Sequence, residues 1–312
     1  NPWTIAEGSP TNNPYTITGM LAASVQLTDS SATSQANHTY KLEETTPANG
    51  YTKVKDIYVR MDIYGFLYTC DSENGSFTRL DTATVISPQN SLNVSDTRTT
   101  VSFSKNAEGA VYRLTGKLAN MTSGLYPTEV TYTPAADGEE ANTAYAKWKS
   151  HADSGLTTFT GNLIIDEEYT LTETAAAPGY VITPFNDAYG NYTNAYTTTS
   201  TDTDGKTTYT MTIKVGPTGL LYYRTGTGDD GWAQVKDTAD TGKTSTTLAF
   251  KDKETRLTAL KTLTGDTTKA AVGYTEFTVT GKFKDESTSK TLWSKGTSAD
   301  AGKLTDITGQ MI

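Results

Sequence analysis

Two fourteen-residue segments, 92–105 (LNVSDTRTTVSFSK) and 248–261 (LAFKDKETRLTALK), align without a gap. Each reads apolar-x-apolar-x-Asp, then a short polar joint, then apolar-x-apolar-x-Lys. Alternate side chains of an extended chain share one face. Leu92, Val94 and Asp96 therefore fall together, as do Val101, Phe103 and Lys105. The second copy repeats this with Leu248, Phe250 and Asp252, and with Leu257, Ala259 and Lys261. The pattern commits both segments to paired strands. It also turns a carboxylate and an ammonium toward the apolar side, which is costly unless the two are paired or chemically joined.

The rest of the chain agrees with strands. Thr, Ser and Asp are abundant beside 19 Tyr and 26 Gly in 312 residues, a composition suited to pleated, half-buried surfaces and tight turns. Short β-type runs are expected over residues 56–68, 209–215, 220–224 and 246–250. Asp202-Thr-Asp-Gly205, residues 225–231 and Asp137-Gly138 punctuate them. No segment keeps a helical period, although residues 139–151 are expected to hold a short helix. The fold class is all-β, several short strands per unit in stacked sandwiches.

Further landmarks recur. Residues 40–51 (YKLEETTPANGY) match 169–180 (YTLTETAAAPGY), Gly65-Phe-Leu-Tyr68 matches Gly219-Leu-Leu-Tyr222, and 111–118 (VYRLTGKL) match 276–283 (EFTVTGKF). A Trp followed by Thr-Gly occurs at Trp3 with Thr18-Gly19, Trp148 with Thr160-Gly161, and Trp293 with Thr308-Gly309. Their order predicts the later part of a first repeat in residues 1–97, a complete second repeat in 98–253, and the head of a third in 254–312. Asn1 reads as a cut edge of a longer array. The joint between Asp252 and Lys261 has eight residues with neither Gly nor Pro, so successive units are expected to connect stiffly.

In the second repeat Lys105 ends the first strand and Asp252 ends the last, positions that a sandwich can make neighbours. Tyr169, Leu171 and Glu173 share a face, which sends a third ionisable group inward. Buried amines release protons more readily than in water, and buried acids hold theirs. Attack of the Lys105 amine on the Asp252 side-chain carbon would give an amide and water, with Glu173 hydrogen-bonding the carbonyl and moving protons. Fixed proximity and exclusion of water would drive it. The plainer alternative is a Lys105–Asp252 ion pair with Glu173 as a hydrogen-bonded structural acid. Lys117 and Lys282, each in Thr-Gly-Lys, are rival amines, but their parity opposite Leu114 and Val279 points them to solvent.

The Tyr-x-Leu-x-Glu-Thr element at 169–174, the Ala-Pro-Gly-Tyr at 177–180, the strand ending in Lys105 and the following Gly-Ala-Val-Tyr-Arg-Leu resemble the collagen-adhesin B-type (Cna-B) domain. That family builds pilus shafts and adhesin stalks on Gram-positive bacteria. The resemblance implies tandem immunoglobulin-like, Greek-key β-sandwiches, each with an intramolecular Lys–Asn or Lys–Asp isopeptide bond. Carried over, the second repeat has Lys105, Glu173 and Asp252. The first has Glu44 and Asp96, its lysine falling before Asn1, and the third has Lys261 without either acid. The acceptor is Asp where the family commonly has Asn, the units are longer than its compact form, and Thr46-Pro-Ala-Asn-Gly50 is irregular.

The net charge of −9 without a basic stripe argues against nucleic acid. No apolar run reaches membrane-spanning length, and no signal peptide opens the chain. Cys70 is the one cysteine, so no internal disulfide framework exists; it reads as a small strand residue. His38 and His151 are isolated, so neither a metal nor a cofactor is expected. Asp202-Thr-Asp-Gly205 lacks the remaining ligands of a calcium loop and reads as a turn. Asn-x-Ser/Thr triplets such as Asn93-Val-Ser95 and Asn191-Tyr-Thr193 follow from the Thr-rich composition. The expectation is an extracellular stalk segment rather than an enzyme, with neighbouring repeats of the same or an identical chain as partners. The alternative is an adhesin module that recognises a host protein or glycan, and residues 189–199, read as a polar loop, are its candidate contact.

Overall fold

The computed structural model describes residues 21, 38–80, 92–122, 124–151, 155–186, 192–227, 231–237, 242–257, 275–284, 287–294 and 311. The chain divides into two compact units, Asn1–Arg98 and Thr99–Ile312.

In the first unit Tyr40–Leu42 (β1), Ile57–Met61 (β2), Leu67–Cys70 (β3) and Thr78–Arg79 (β4) form one antiparallel sheet in that order. A turn at 62–66 splits the single run expected over 56–68. Asp62, 2 % exposed, causes it: Oδ1 accepts the amides of Tyr64 and Phe66 at 2.9 Å, and Oδ2 accepts the Tyr68 hydroxyl at 3.3 Å.

The second unit holds Thr100–Lys105 (β5), Val111–Thr115 (β6), Thr131–Thr133 (β7), Tyr145–Lys149 (β8), Thr157–Thr160 (β9), Tyr169–Ala175 (β10) and Tyr180–Val181 (β11). It continues with Thr197–Thr201 (β12), Thr207–Val215 (β13), Leu221–Arg224 (β14), Trp232–Gln234 (β15), Thr247–Phe250 (β16), Lys253–Glu254 (β17), Thr275–Thr280 (β18) and Ser289–Ser294 (β19). One sheet runs β15-β14-β13-β10-β6-β8-β7, with β12 also on β13; a second runs β16-β5-β9. Strand β5 therefore hands the chain across to β6 in the other sheet, and β16 returns to lie parallel to β5. The fold is all-β, and these two sheets face each other as a sandwich. Phe103 meets Trp148 at 5.0 Å, Trp148 meets Phe159 at 5.4 Å, and Tyr112 meets Phe250 at 5.9 Å between ring centroids. Such pairs add about 0.5–1.5 kcal/mol each beyond the area they bury. Alternation selects the inward residues: Tyr169, Leu171 and Glu173 on β10, Met211, Ile213 and Val215 on β13, Val101, Phe103 and Lys105 on β5.

Several of the matched sequence landmarks share local backbone features. The path β1-β2-β3-β4 has its counterpart in β10-β13-β14-β15. Gly65 and Gly219 occupy matching turns at φ 83° and 82°, a conformation glycine adopts without steric cost. Tyr51 donates its amide to Ala48 and Tyr180 to Ala177, both at 3.0 Å. Tyr51 then bridges Arg98 as Tyr180 pairs with Glu254.

Three expectations are corrected. Residues 139–151 hold only a 3-10 turn, Ala141–Thr143, before β8, because Ala146 and Trp148 alternate into the core with period two. Residues 92–96 form no strand, and Val94 is 45 % exposed. The matching β16 takes its ladder from β5, whereas here, among the described residues, Thr97 and Arg98 reach Thr52 and Tyr51. Within 189–199, read as a polar loop, Ala195 is buried, Tyr192 packs on Phe250 and Tyr223, and β12 begins at Thr197. The expected turn at Asp202 forms, its Oδ1 capping the amides of Asp204 and Lys206.

Candidate functional site

Parallel pairing of β5 with β16 sets Lys105 opposite Phe250, so the chain two residues on delivers Asp252 to the end of β5. Asn106 clasps that junction. Its Oδ1 accepts the Asp252 amide at 3.0 Å and its Nδ2 donates to the Asp252 carbonyl at 3.2 Å. From the opposite sheet β10 presents Glu173, beside an irregularity in the β10–β6 register between Glu173 and Ala175. Irregularities of this kind re-aim side chains next to functional sites.

The three charged side chains meet inside the sandwich. Lys105 Nζ donates to Glu173 Oε2 at 2.8 Å and lies 2.8 Å from Asp252 Oδ1. Their exposures are 2 %, 1 % and 1 %. Tyr112 donates its hydroxyl to Glu173 Oε2 at 3.3 Å, and its ring centroid lies 5.5 Å from Lys105 Nζ. Asp252 Oδ1 also accepts the Thr183 amide and hydroxyl, each at 3.1 Å.

Two oxygens are left over: Glu173 Oε1 and Asp252 Oδ2 are buried without a hydrogen-bond partner. The Glu173 and Asp252 carboxyls also interact with each other, and a proton kept on Glu173 lets one acid act as donor to the other. Burial is the main reason Glu173 holds that proton, and Asp252 adds to it while Lys105 opposes it; the Glu173 carboxyl is pushed up to about 8. Burial, with Glu173 and Asp252 nearby, likewise raises the Tyr112 phenol well above its ordinary value, which keeps it a donor.

The first unit brings Glu44 and Asp96 together more openly. Burial and then Glu44 raise the Asp96 carboxyl, and Glu44 Oε2 accepts the Val54 amide at 2.8 Å. Lys261 lies outside the described residues, and Leu257 is 37 % exposed. Lys117 and Lys282 are exposed, and Lys117 lies 4.0 Å from Glu167. Asn106, Tyr112 and Thr183 escape sequence reasoning because each is an ordinary residue type; only Tyr112, in register with the inward Leu114, carries a usable signal. Among the described residues no cluster of three or more His, Cys, Asp and Glu could hold a metal ion, and no helix is long and apolar enough to cross a membrane.

No known family profile matches the chain, and no curated protein matches it. Among solved structures, a C-terminal fragment of the pilus adhesin SpaC from Lactobacillus rhamnosus GG aligns at 17 % identity with a TM-score of 0.30. The alignment covers 72 % of this chain and 79 % of that one.

Proposed function

We propose that the chain is a stalk segment of a bacterial cell-surface fibre, a pilus or an adhesin shaft of Cna-B type. Its second unit closes an amide between Lys105 and Asp252. The observation that carries this reading is a buried ammonium 2.8 Å from each of two buried acids, one of which keeps its proton near neutrality. The reacting groups are already in contact, so closure costs no translational freedom. The reaction also removes a buried charge pair whose desolvation opposes folding. Glu173 is neutral before and after, as a proton carrier requires, and the chemistry consumes the protein's own side chains, so the chain is not a turnover enzyme. Glu44 and Asp96 are the corresponding acids of the first repeat, and Lys261 is the corresponding amine of a third, with neighbouring repeats as partners in the extracellular fibre.

The topology suits a load-bearing part. Tension that enters before Thr100 and leaves after Phe250 pulls two parallel neighbours in opposite directions and loads their hydrogen bonds in shear. An amide from Lys105 to Asp252 diverts that load past everything between them. Single-molecule pulling on the chain by its ends tests the proposal. The unfolding of the second unit is expected to release roughly 500 Å less contour length than its residue count allows, and Lys105→Ala is expected to restore it. Full extension in the unaltered protein contradicts the reading. Specific binding of the unaltered chain to a glycan or matrix-protein panel, together with full extension, would favour an adhesin module instead.

A further inference from the structure

Resting on that amide-forming reading, we infer that Thr183 is a catalytic residue of the closure: its backbone N–H and hydroxyl cradle Asp252 Oδ1 as the oxyanion, so Oδ2 is the oxygen that leaves as water. The geometry divides the two carboxyl oxygens cleanly. Oδ1 has the Thr183 amide and hydroxyl at 3.1 Å each. Oδ2 is buried without a hydrogen-bond partner among the described residues, and Glu173 is the acid that interacts with the Asp252 carboxyl. The Thr183 hydroxyl has one proton and two acceptors, since the Lys251 carbonyl lies 2.9 Å away. As negative charge builds on Oδ1, that proton is drawn there, because hydrogen bonds to ionised acceptors are the stronger ones. The interaction therefore strengthens on the way to the transition state, which is what accelerates a step.

The step balances. The Lys105 ammonium gives one proton to the Asp252 carboxylate at Oδ2, by way of Glu173, leaving a neutral amine and a neutral acid. The amine lone pair forms the Nζ–Cγ bond, and the carbonyl electron pair moves onto Oδ1, held by Thr183. A second nitrogen proton passes through Glu173 to Oδ2, the Cγ–Oδ2 bond breaks, and water departs as the carbonyl at Oδ1 re-forms. Nitrogen keeps one of its three protons, water carries the other two, and Glu173 ends as it began.

Thr183 is placed for this by pairing, since β11 beside β17 sets Val181 opposite Lys253. Thr183 itself is buried. The equivalent position of the first unit, three residues after Tyr51 as Thr183 is three after Tyr180, is Val54, which has no hydroxyl and gives its amide to Glu44 instead.

The test follows water loss by intact mass during cell-free synthesis of the full chain. Thr183→Val keeps the backbone donor and the side-chain size, and is expected to slow closure about 100-fold. Thr183→Ser is expected to close within a few-fold of the unaltered rate, a rescue that a packing role would not produce. Equal rates for Thr183→Val and the unaltered chain overturn the inference, and so does equal slowing of the Val and Ser variants. If the unaltered chain never loses water, the amide reading itself fails and this inference with it; a chain that closes regardless of Thr183 leaves that reading standing.

Discussion

Glu173→Gln isolates the energetic effect of the proposed Lys105–Asp252 link. Glu173 is neutral in the folded chain near pH 7, being pushed up to about 8, so glutamine replaces one neutral group with another of the same size. The Lys105–Asp252 pair, 2.8 Å apart in the unaltered chain, is expected to stay in contact, while the proposed proton carrier is lost. The variant is therefore expected to fold and to stay unlinked. The proposed link would close a loop of roughly 150 residues, which on the chain-entropy account removes about 5 kcal/mol of freedom from the unfolded state. For a unit of this size that corresponds to roughly 10–20 °C in the unfolding midpoint. Scanning calorimetry of the full chain, with linkage state read by mass on the same samples, makes the comparison. A linked chain and an unlinked variant that melt within about 2 °C of each other refute the closure argument. A Glu173→Gln chain that links at the normal rate refutes the proton-carrier role.

Closure is expected to run at a level rate across neutral pH and to slow above about pH 8 as Glu173 loses its proton; a rate that climbs through that range would show that the acid form is not needed. Stability before closure has the opposite sense from a paired carboxylate. The folded chain holds a Glu173 proton that the unfolded chain releases near 4.5, so stability is expected to fall as pH rises from about 4.5 to about 8, and a rise there contradicts the buried neutral acid. Asn106→Ala strips the Asp252 backbone of both partners and should cost about 1–3 kcal/mol and slow closure; unchanged mass kinetics would reduce Asn106 to a spectator. In the first unit Asp62→Ala frees the amides of Tyr64 and Phe66, at a similar cost. Amide exchange at β2 and β3 should then quicken, and unchanged protection would mean that the turn holds without its carboxylate.

Much of the site could be read from alternation alone. Lys105 follows Val101 and Phe103 on one face, Asp252 follows Leu248 and Phe250, and Glu173 follows Tyr169 and Leu171; the structure buries all nine. Parity specifies a face but not a neighbour. Which residues complete the cluster depends on register between distant strands, so Asn106, Thr183 and the Tyr112 hydroxyl emerge only once β5 is paired with β16, β11 with β17 and β6 with β10. Parity also misleads where no strand exists to pair with, as at Leu92–Val94–Asp96. The helical reading of 139–151 fails for a related reason: a short stretch with few apolar residues fits both periods, and the core decides through Ala146 and Trp148. Tyr192 was hidden by its polar sequence neighbours, although its hydroxyl accepts the Ala249 amide at 3.2 Å and burial raises its phenol to about 12.

The most direct measurement is fragment mass spectrometry of a proteolytic digest of the unaltered chain. The account predicts a branched peptide that joins the segment containing Lys105 to the segment containing Asp252, one water lighter than the two together. Two separate linear peptides, each with its side chain unmodified, would contradict it and leave a buried ion pair.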